Sequence, residues 1–198
     1  MGEHLTSTKP SKKELRRQQI ITEAHLLFSE KGFDNTTVAD IVMACGMARG
    51  TFYNYFQTTQ EILDEIIHDM NLNILASIKK AREENDTLFD FVYAAFKVYF
   101  DLVSTPMMAN FNKNNQAHIR TISYSSNSMK TLIAGIVDEL KASDQVVVKN
   151  ENDYHLLSYM IVSSASEVLL HIYQAEEDVD TSYLADFMTN VFLCGFAK

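Results

Sequence analysis

The sequence predicts an all-α protein of about nine helices, and three observations support this. Apolar residues recur at spacings of three and four along most of the chain, which is the period of a helix with one buried face. The 198 residues include only 6 glycines and 2 prolines, too few for an architecture rich in β-turns. The one strand-like run, residues 146–148, is too short to indicate a sheet and is predicted to be a loop.

The first predicted helix runs from Lys12 to Lys31. Ser11 and Glu14 have the spacing of a capping box, in which each residue hydrogen-bonds the backbone of the other. Gly32 is well placed to end the helix.

Two short helices are predicted next, joined by a tight turn. A second capping box, Thr37 to Asp40, opens a helix that ends before Gly46, and the next helix spans about residues 48–55. Gly46 suits the left-handed backbone that such a turn requires. These are the proportions of a helix-turn-helix unit.

The remaining chain is predicted to be helical throughout. Thr58 and Glu61 open a long helix, and the next helix is capped at Asn85–Asp86. The polar residues 112–116 interrupt the apolar pattern, and the weak helix former Ser123–Ser128 is a candidate kink. The predicted later segments begin after the Thr105–Pro106 cap and run to Ala142, then over Asp153–Ala175 and Thr181–Phe196. We predict an N-terminal helix-turn-helix domain, residues 1–57, and a larger C-terminal helical domain, residues 58–198.

The charge is distributed unevenly. The formal net charge is −9, yet residues 1–60 carry 7 basic and 6 acidic side chains (+1), and the rest carry 10 and 20 (−10). Five cations lie within nine residues, namely Lys9, Lys12, Lys13, Arg16 and Arg17. This asymmetry is typical of a protein that meets phosphate at one end, although a basic, solvated helix start would give the same pattern.

The third helix carries the side chains of a surface that contacts a polyanion. It offers one cation, several neutral donors and no carboxylate: Arg49, Thr51, Tyr53, Asn54 and Tyr55. Arginine can bind guanine, asparagine can bind adenine, and hydroxyl groups can bind phosphate oxygens. The helix is therefore interpreted as a DNA-reading helix.

Two motifs resemble the DNA-binding signature of the TetR family of bacterial transcriptional regulators. They are Phe33-x-x-Thr36-Thr37-Val38-x-Asp40-Ile41 and the run from Gly46 to Phe56, Gly-Met-Ala-Arg-Gly-Thr-Phe-Tyr-Asn-Tyr-Phe. The resemblance covers about residues 17–64. It implies a dimeric DNA-binding protein with a ligand-binding body, and it assigns phosphate contact to Thr37 and major-groove contact to Arg49. The full predicted DNA-binding set is Lys12, Thr37, Arg49, Thr51, Tyr53, Asn54 and Tyr55.

Other positions match the family's core or depart from its pattern. Phe28, Ile41, Phe52 and Phe56 match core positions and are expected to be buried. Ala48 stands where the family often has serine, and Gln57 and Thr59 stand where it commonly has lysine, which predicts weaker phosphate binding.

The C-terminal domain offers a candidate dimer surface and a candidate pocket. The apolar stripe on the last helix either faces the chain's own core or, as the resemblance implies, forms a four-helix bundle across a dimer; its members are Leu184, Phe187, Met188, Val191 and Gly195. Aromatic, methionine and polar residues are predicted to bind an apolar or amphipathic small molecule, although core packing is the alternative for each apolar one. They are Phe96, Tyr99, Met107, Phe111, His118, Tyr124, Tyr159 and Glu167.

Several classes of protein are not expected. The pairs Glu167/His171 and Asp64/His68 offer two ligands each, too few for a metal site, and no catalytic or cofactor motif occurs. Neither a membrane span nor a secretory signal is predicted, so a cytoplasmic protein is expected. We predict a repressor that binds a palindromic operator as a homodimer and is released by a small effector. A helical ligand- or partner-binding protein with weakened DNA binding is the alternative.

Overall fold

Nine α-helices occupy most of residues 11–143, 146–175 and 178–195, the parts of the chain that this computed structural model describes. No strand occurs within those ranges, so the all-α prediction is confirmed. In chain order the helices are α1 (Lys12–Lys31), α2 (Val38–Ala44), α3 (Arg49–Phe52), α4 (Thr59–Glu83), α5 (Leu88–Val103), α6 (Pro106–Ser125), α7 (Asn127–Ala142), α8 (Asn152–Gln174) and α9 (Thr181–Cys194).

Side-chain caps start the first helices where the sequence predicts them. Ser11 and Glu14 make both hydrogen bonds of the capping box at α1, and Thr37 and Asp40 do so at α2. Gly32 ends α1 with φ at +82°, a backbone angle that side chains disfavour. The later threonine caps are Thr58, Thr87 and Thr105.

The third helix is shorter than the predicted span of residues 48–55. Only Arg49–Phe52 is helical, and residues 53–55 form turns. The amides of Asn54 and Tyr55 bond to carbonyls three residues back, at 3.2 and 2.9 Å, which tightens the chain beyond an α-helix. Ala48 at the N-cap provides no side-chain hydrogen bond.

The helix α5 begins two residues later than predicted. Thr87 caps it by accepting a hydrogen bond from the amide of Asp90, at 3.1 Å. The Asn85 side chain, predicted to be part of the cap, instead donates to the carbonyl of Ala81, at 2.7 Å, and so finishes α4.

The helical path is interrupted at both places that the sequence indicates, by a kink within residues 112–116 and by a helix boundary within residues 123–128. Helix α6 continues through residues 112–116 with one non-helical residue, Asn115 (φ −129°, ψ 18°). The chain leaves the helix at Ser126, which caps α7 by accepting from the amide of Met129, at 3.1 Å. The predicted weakness at residues 123–128 therefore separates two helices. The predicted end of the last helix, Phe196, and Lys9 of the basic segment lie outside the described residues.

Two hydrophobic cores lie along the molecule, and α4 contributes to both. The first packs α1, α2 and α3 against the first half of α4, and includes Phe111 of α6. The second packs α4, α5, α8 and α9 around Phe100, Leu169 and Ala185. The four side chains predicted to fill the first core are buried, as expected: Phe28, Ile41, Phe52 and Phe56. The division into residues 1–57 and 58–198 stays a prediction.

The two ends of the molecule are joined where α1 meets α6. The buried Asn115 side chain donates to the carbonyls of Phe28 (2.9 Å) and Phe111 (2.8 Å) and accepts from the amide of Phe33 (2.7 Å). Gly32 allows this approach, since a Cβ there would lie 3.2 Å from the carbonyl oxygen of Asn114. The kink in α6 therefore lies at its main polar contact with α1.

Helices α8 and α9 leave much apolar surface uncovered in the single chain. The exposed side chains are Leu156, Tyr159, Met160, Tyr183 and Phe187. Of the predicted apolar stripe, Leu184 and Met188 instead pack inside the chain's own core, because α9 lies against α5. By length and composition α8 is the one helix in the described ranges that could cross a membrane, which is weak evidence because helices of soluble bundles pass the same test.

Candidate nucleic-acid interface and internal cavity

The turn between α2 and α3 has helix-turn-helix geometry. Gly46 has φ at +59°, in the left-handed region that glycine adopts without strain. The amide of Met47 donates to the carbonyl of Val42, at 3.0 Å, and so closes the turn. The turn fixes the direction in which the next residues leave α2.

Residues 48–55 form a surface segment anchored by buried rings, and we call these residues the recognition segment. Phe52 and Phe56 are buried in the first core, whereas Arg49, Tyr53 and Asn54 are exposed. Thr51 and Tyr55 are partly buried. No carboxylate occurs between residues 46 and 60, so the segment presents only neutral and positive groups.

Arg49 and Tyr53 form a pair on the outer face of the recognition segment. The Nε and Nη2 groups of Arg49 donate to the Tyr53 hydroxyl, at 3.4 and 3.3 Å, and the guanidinium carbon lies 5.9 Å from the ring centroid. A guanidinium has five N–H donors, so several remain available for another acceptor. The contact holds the cation and the phenol side by side.

The Thr37 hydroxyl is already engaged within the protein. It donates to the carboxylate of Asp40 at 2.7 Å and accepts from the Asp40 amide at 3.2 Å. The hydrogen bonds that the Asp40 carboxylate accepts from the Thr37 hydroxyl and from the Thr37 amide (2.8 Å), together with Lys31 at 3.0 Å, lower the pKa of Asp40 to about 2. The carboxylate occupies the hydroxyl's donor, so a phosphate contact by Thr37 needs a different donor or a rearranged cap.

The basic segment at the start of α1 divides into free and paired cations. Lys12 and Lys13 are exposed in the first turn. Arg17 makes a two-point ion pair with Glu65 and lies over the Phe56 ring, 4.7 Å from its centroid, and the carboxylate raises the pKa of Arg17. Arg17 therefore joins α1 to α4, a structural role that the sequence analysis did not assign.

A cavity of about 210 Å³ lies among α4, α5, α6, α7 and α8, with mainly apolar walls. Four of the predicted ligand-binding residues line it, namely Phe96, Tyr99, Tyr124 and Glu167. Sequence reasoning missed the wall that α4 contributes. Asn71, a polar residue among the apolar positions of α4, could have indicated this wall. It is buried and bonded to Ser123, with Nδ2 and Oγ 3.1 Å apart.

The other four predicted ligand-binding residues do not line the cavity. Phe111 is fully buried in the first core, against the ring of His25. His118 bonds to Asp34, with Nε2 and Oδ1 3.0 Å apart, because α6 meets the end of α1 there. Met107 is exposed at the start of α6, and Tyr159 is exposed on α8, since both point away from the cavity.

Charged residues at the cavity wall are all paired. Arg120 forms an ion pair with Glu167, and Glu139 accepts from Arg82 at 2.7 Å.

Within the described ranges no three metal-ligating side chains cluster, and Asp64 accepts from Gln60 rather than pairing with His68.

The N-terminal part of the chain is similar to a known protein family. Residues 20–66 match the family described as "Bacterial regulatory proteins, tetR family". An uncharacterized HTH-type transcriptional regulator of Bacillus subtilis, YfiR, is 33% identical over 89 residues, which are 45% of this chain and 41% of YfiR. The chain therefore spans less than half the length of that relative.

Solved structures match nearly the whole chain. The fatty acid degradation regulator FadR from Bacillus halodurans aligns with a TM-score of 0.77 at 19% identity, over 96% of this chain and 98% of that one. FadR from Bacillus subtilis, solved in complex with stearoyl-CoA, aligns with a TM-score of 0.78 at 18% identity, over 91% and 99%. At this identity the likeness shows the fold.

Proposed function

We propose, on the premise that this chain belongs through its N-terminal domain to the tetR family of bacterial regulatory proteins, that it is a cytoplasmic, ligand-responsive repressor of transcription. The observation that carries the proposal is the recognition segment: exposed, free of carboxylates and anchored on two buried rings. Packing alone would not require such a surface, whereas a polyanionic duplex does.

Each residue of the recognition segment has a role that its chemistry supports. Arg49 would read guanine and Asn54 adenine in the major groove, while the hydroxyls of Thr51, Tyr53 and Tyr55 would bind phosphate oxygens. Lys12 would add a phosphate contact from α1. Thr37 would contribute through the exposed start of α2, since its hydroxyl is engaged with Asp40.

The protein would bind its operator as a two-fold dimer formed through α8 and α9. One helix-turn-helix unit reads only a few base pairs, so dimers bind half-sites spaced by whole helical turns. The exposed apolar side chains of the two helices support this interface, because a patch of this kind usually marks an interaction surface. The operator is then expected to be palindromic.

An effector in the cavity would release the operator by shifting a conformational equilibrium. Helices α4 and α6 line the cavity and also contribute to the first core, so a change in their spacing would move the recognition segment. A near-complete switch requires about 5 kcal/mol of differential binding. The apolar walls favour an apolar or amphipathic effector. FadR of Bacillus subtilis, which has the same fold, was solved in complex with one amphipathic molecule, stearoyl-CoA.

Selection from a randomised pool of duplexes, followed by fluorescence anisotropy at two salt concentrations, tests DNA binding. We expect a palindromic consensus whose affinity falls steeply with salt. The double variant Arg49→Ala/Tyr53→Ala should lose about 100-fold in affinity, because each Arg49 contact to a base contributes about 1–3 kcal/mol, the dimer uses both copies, and the phosphate contact of Tyr53 is lost as well.

The exposed Lys130→Ala on α7 removes one positive charge from the body and is the control, expected to bind as the wild type does. Unchanged affinity of the double variant would contradict the assigned surface. Absence of binding by the wild type at low salt would favour the alternative, a helical ligand- or partner-binding protein.

A further inference from the structure

Three tyrosines face the cavity, and only one of them has no hydrogen-bond partner there. Tyr124 bonds to Ser163, with the hydroxyl oxygens 2.8 Å apart, and Tyr173 donates to the carbonyl of Val103, at 2.8 Å. Tyr99 makes a ring contact with Phe100, 5.5 Å between centroids, but its hydroxyl bonds to no group in the described ranges. Tyr99 is partly buried and lines the cavity, so its donor is unpaired beside mainly apolar walls.

The environment of Tyr99 keeps its hydroxyl protonated. Burial raises the pKa of Tyr99, and the neighbouring Tyr173 and Tyr124 raise it further. The group is therefore a neutral donor over the whole physiological range. Tyr99 lines the cavity, so a molecule inside the cavity can accept this proton in a hydrogen bond.

The cavity offers no free charge to complement a charged ligand. The charged residues of its wall are Arg120, Glu139 and Glu167, and each has an ion-pair partner. Glu167 already balances the charge of Arg120, so an anion enclosed there would lose its hydration without meeting a net positive charge. A neutral acceptor avoids that cost.

We propose that the part of the effector enclosed in the cavity is neutral and apolar and carries a carbonyl oxygen that accepts a hydrogen bond from Tyr99, as in a ketone, ester or thioester. This inference rests on the proposed effector role of the cavity and narrows its ligand class. Tyr99 is then a specificity-determining residue, since an apolar ligand without the oxygen would enclose the Tyr99 donor and leave it unpaired.

The test uses 6-propionyl-2-dimethylaminonaphthalene, a neutral aromatic ketone whose emission shifts to the red when its carbonyl accepts a hydrogen bond. We expect the full-length wild type to bind it, and Tyr99→Phe to bind about three- to tenfold more weakly with blue-shifted emission. The parent 2-dimethylaminonaphthalene, which has no carbonyl, should bind both proteins equally.

Tyr93→Phe is the matched control, a tyrosine of the same helix that does not line the cavity, and should behave as the wild type. Tyr99→Phe should melt no lower than the wild type, because the lost hydroxyl makes no bond in the unliganded protein. Equal affinity and emission in Tyr99→Phe, an equal loss in Tyr93→Phe, or no ketone binding by the wild type would each overturn the inference.

The operator assay separates this outcome from failure of the proposed function. Tyr99→Phe is expected to bind operator DNA as the wild type does, because Tyr99 lies in the body. Loss of the ketone signal with intact DNA binding would reject the ligand class alone. Absence of DNA binding by the wild type would instead reject the repressor.

Discussion

The recognition segment and the cavity are built over very different distances along the chain. The recognition segment spans eight residues, and its shape comes from Gly46, two short hydrogen-bonded turns and two buried rings close by. The cavity wall draws residues from Met70 to Tyr173, on five helices. A locally determined surface moves as one rigid unit, whereas a cavity between helices changes shape when any of them shifts. The first is suited to reading a duplex and the second to sensing a ligand.

The largest expected effect tests whether one recognition segment is sufficient for tight operator binding or whether a dimer with two segments is required. Phe187→Asp with Met160→Asp places charges on the exposed faces of α9 and α8 and should give a monomer by sedimentation velocity. Operator affinity should then fall by about 100-fold or more, because two linked half-sites bind with avidity.

Leu72→Asp, which introduces the same charge on an exposed leucine of α4, is the control and should remain dimeric. A double variant that stays dimeric would show that α8 and α9 do not form the interface.

A second change tests the joint between the two regions. Asn115→Ala removes three side-chain hydrogen bonds and leaves the Phe33 amide unpaired, whereas the Phe28 carbonyl keeps its bond from the Gly32 amide. We expect a loss of about 3 kcal/mol in the free energy of unfolding, measured by urea denaturation. Asn110→Ala, on an exposed position of the same helix, should change it little. A small effect at Asn115 would mean that the two regions are not held together by this contact.

The smallest expected effect concerns the helix-turn-helix unit alone, and it is a change of stability with pH. The pKa of Asp40 is about 2 in the folded protein against 3.8 in the ordinary carboxyl, so its ionised form stabilises the fold above about pH 4. The difference in melting temperature between the wild type and Asp40→Asn should therefore narrow as the pH falls from 4 towards 2.

Asp138→Asn, an exposed change on α7, should show no comparable narrowing. A constant difference for Asp40→Asn between pH 6 and pH 3 would contradict the role given to its hydrogen bonds with Thr37 and Lys31.

The sequence predicted most of what depends on neighbouring residues. The caps at Ser11 and Thr37, the turn at Gly46 and the burial of Phe52 follow from spacing and from the family signature. It failed where the direction of a side chain depends on a distant helix. Phe111 and Tyr159 have the composition of pocket residues, but the rotation of α6 and α8 points one into the first core and the other outwards.

Helix ends also depended on competition that sequence patterns do not resolve. Asn85 and Thr87 are both good N-cap residues for α5. Thr87 caps α5, whereas the Asn85 side chain bonds to a carbonyl at the end of α4. The sequence places Asn115 in a polar run that interrupts the apolar pattern, but it does not show that the side chain bonds to three backbone groups of α1, α6 and the loop after α1. The role of a polar residue at a kink can be assigned only when its hydrogen-bond partners are known.

The contribution of α4 and Phe111 to the first core limits how modular this protein can be. A fragment cut at residue 57 would expose the apolar surface that Ile62, Leu63, Ile67 and Phe111 now cover. Transplanting the helix-turn-helix unit onto another body would therefore require carrying over the first turns of α4 and finding a substitute for the Phe111 ring. Such a chimera is expected to fold only where the recipient body supplies a matching ring at that place.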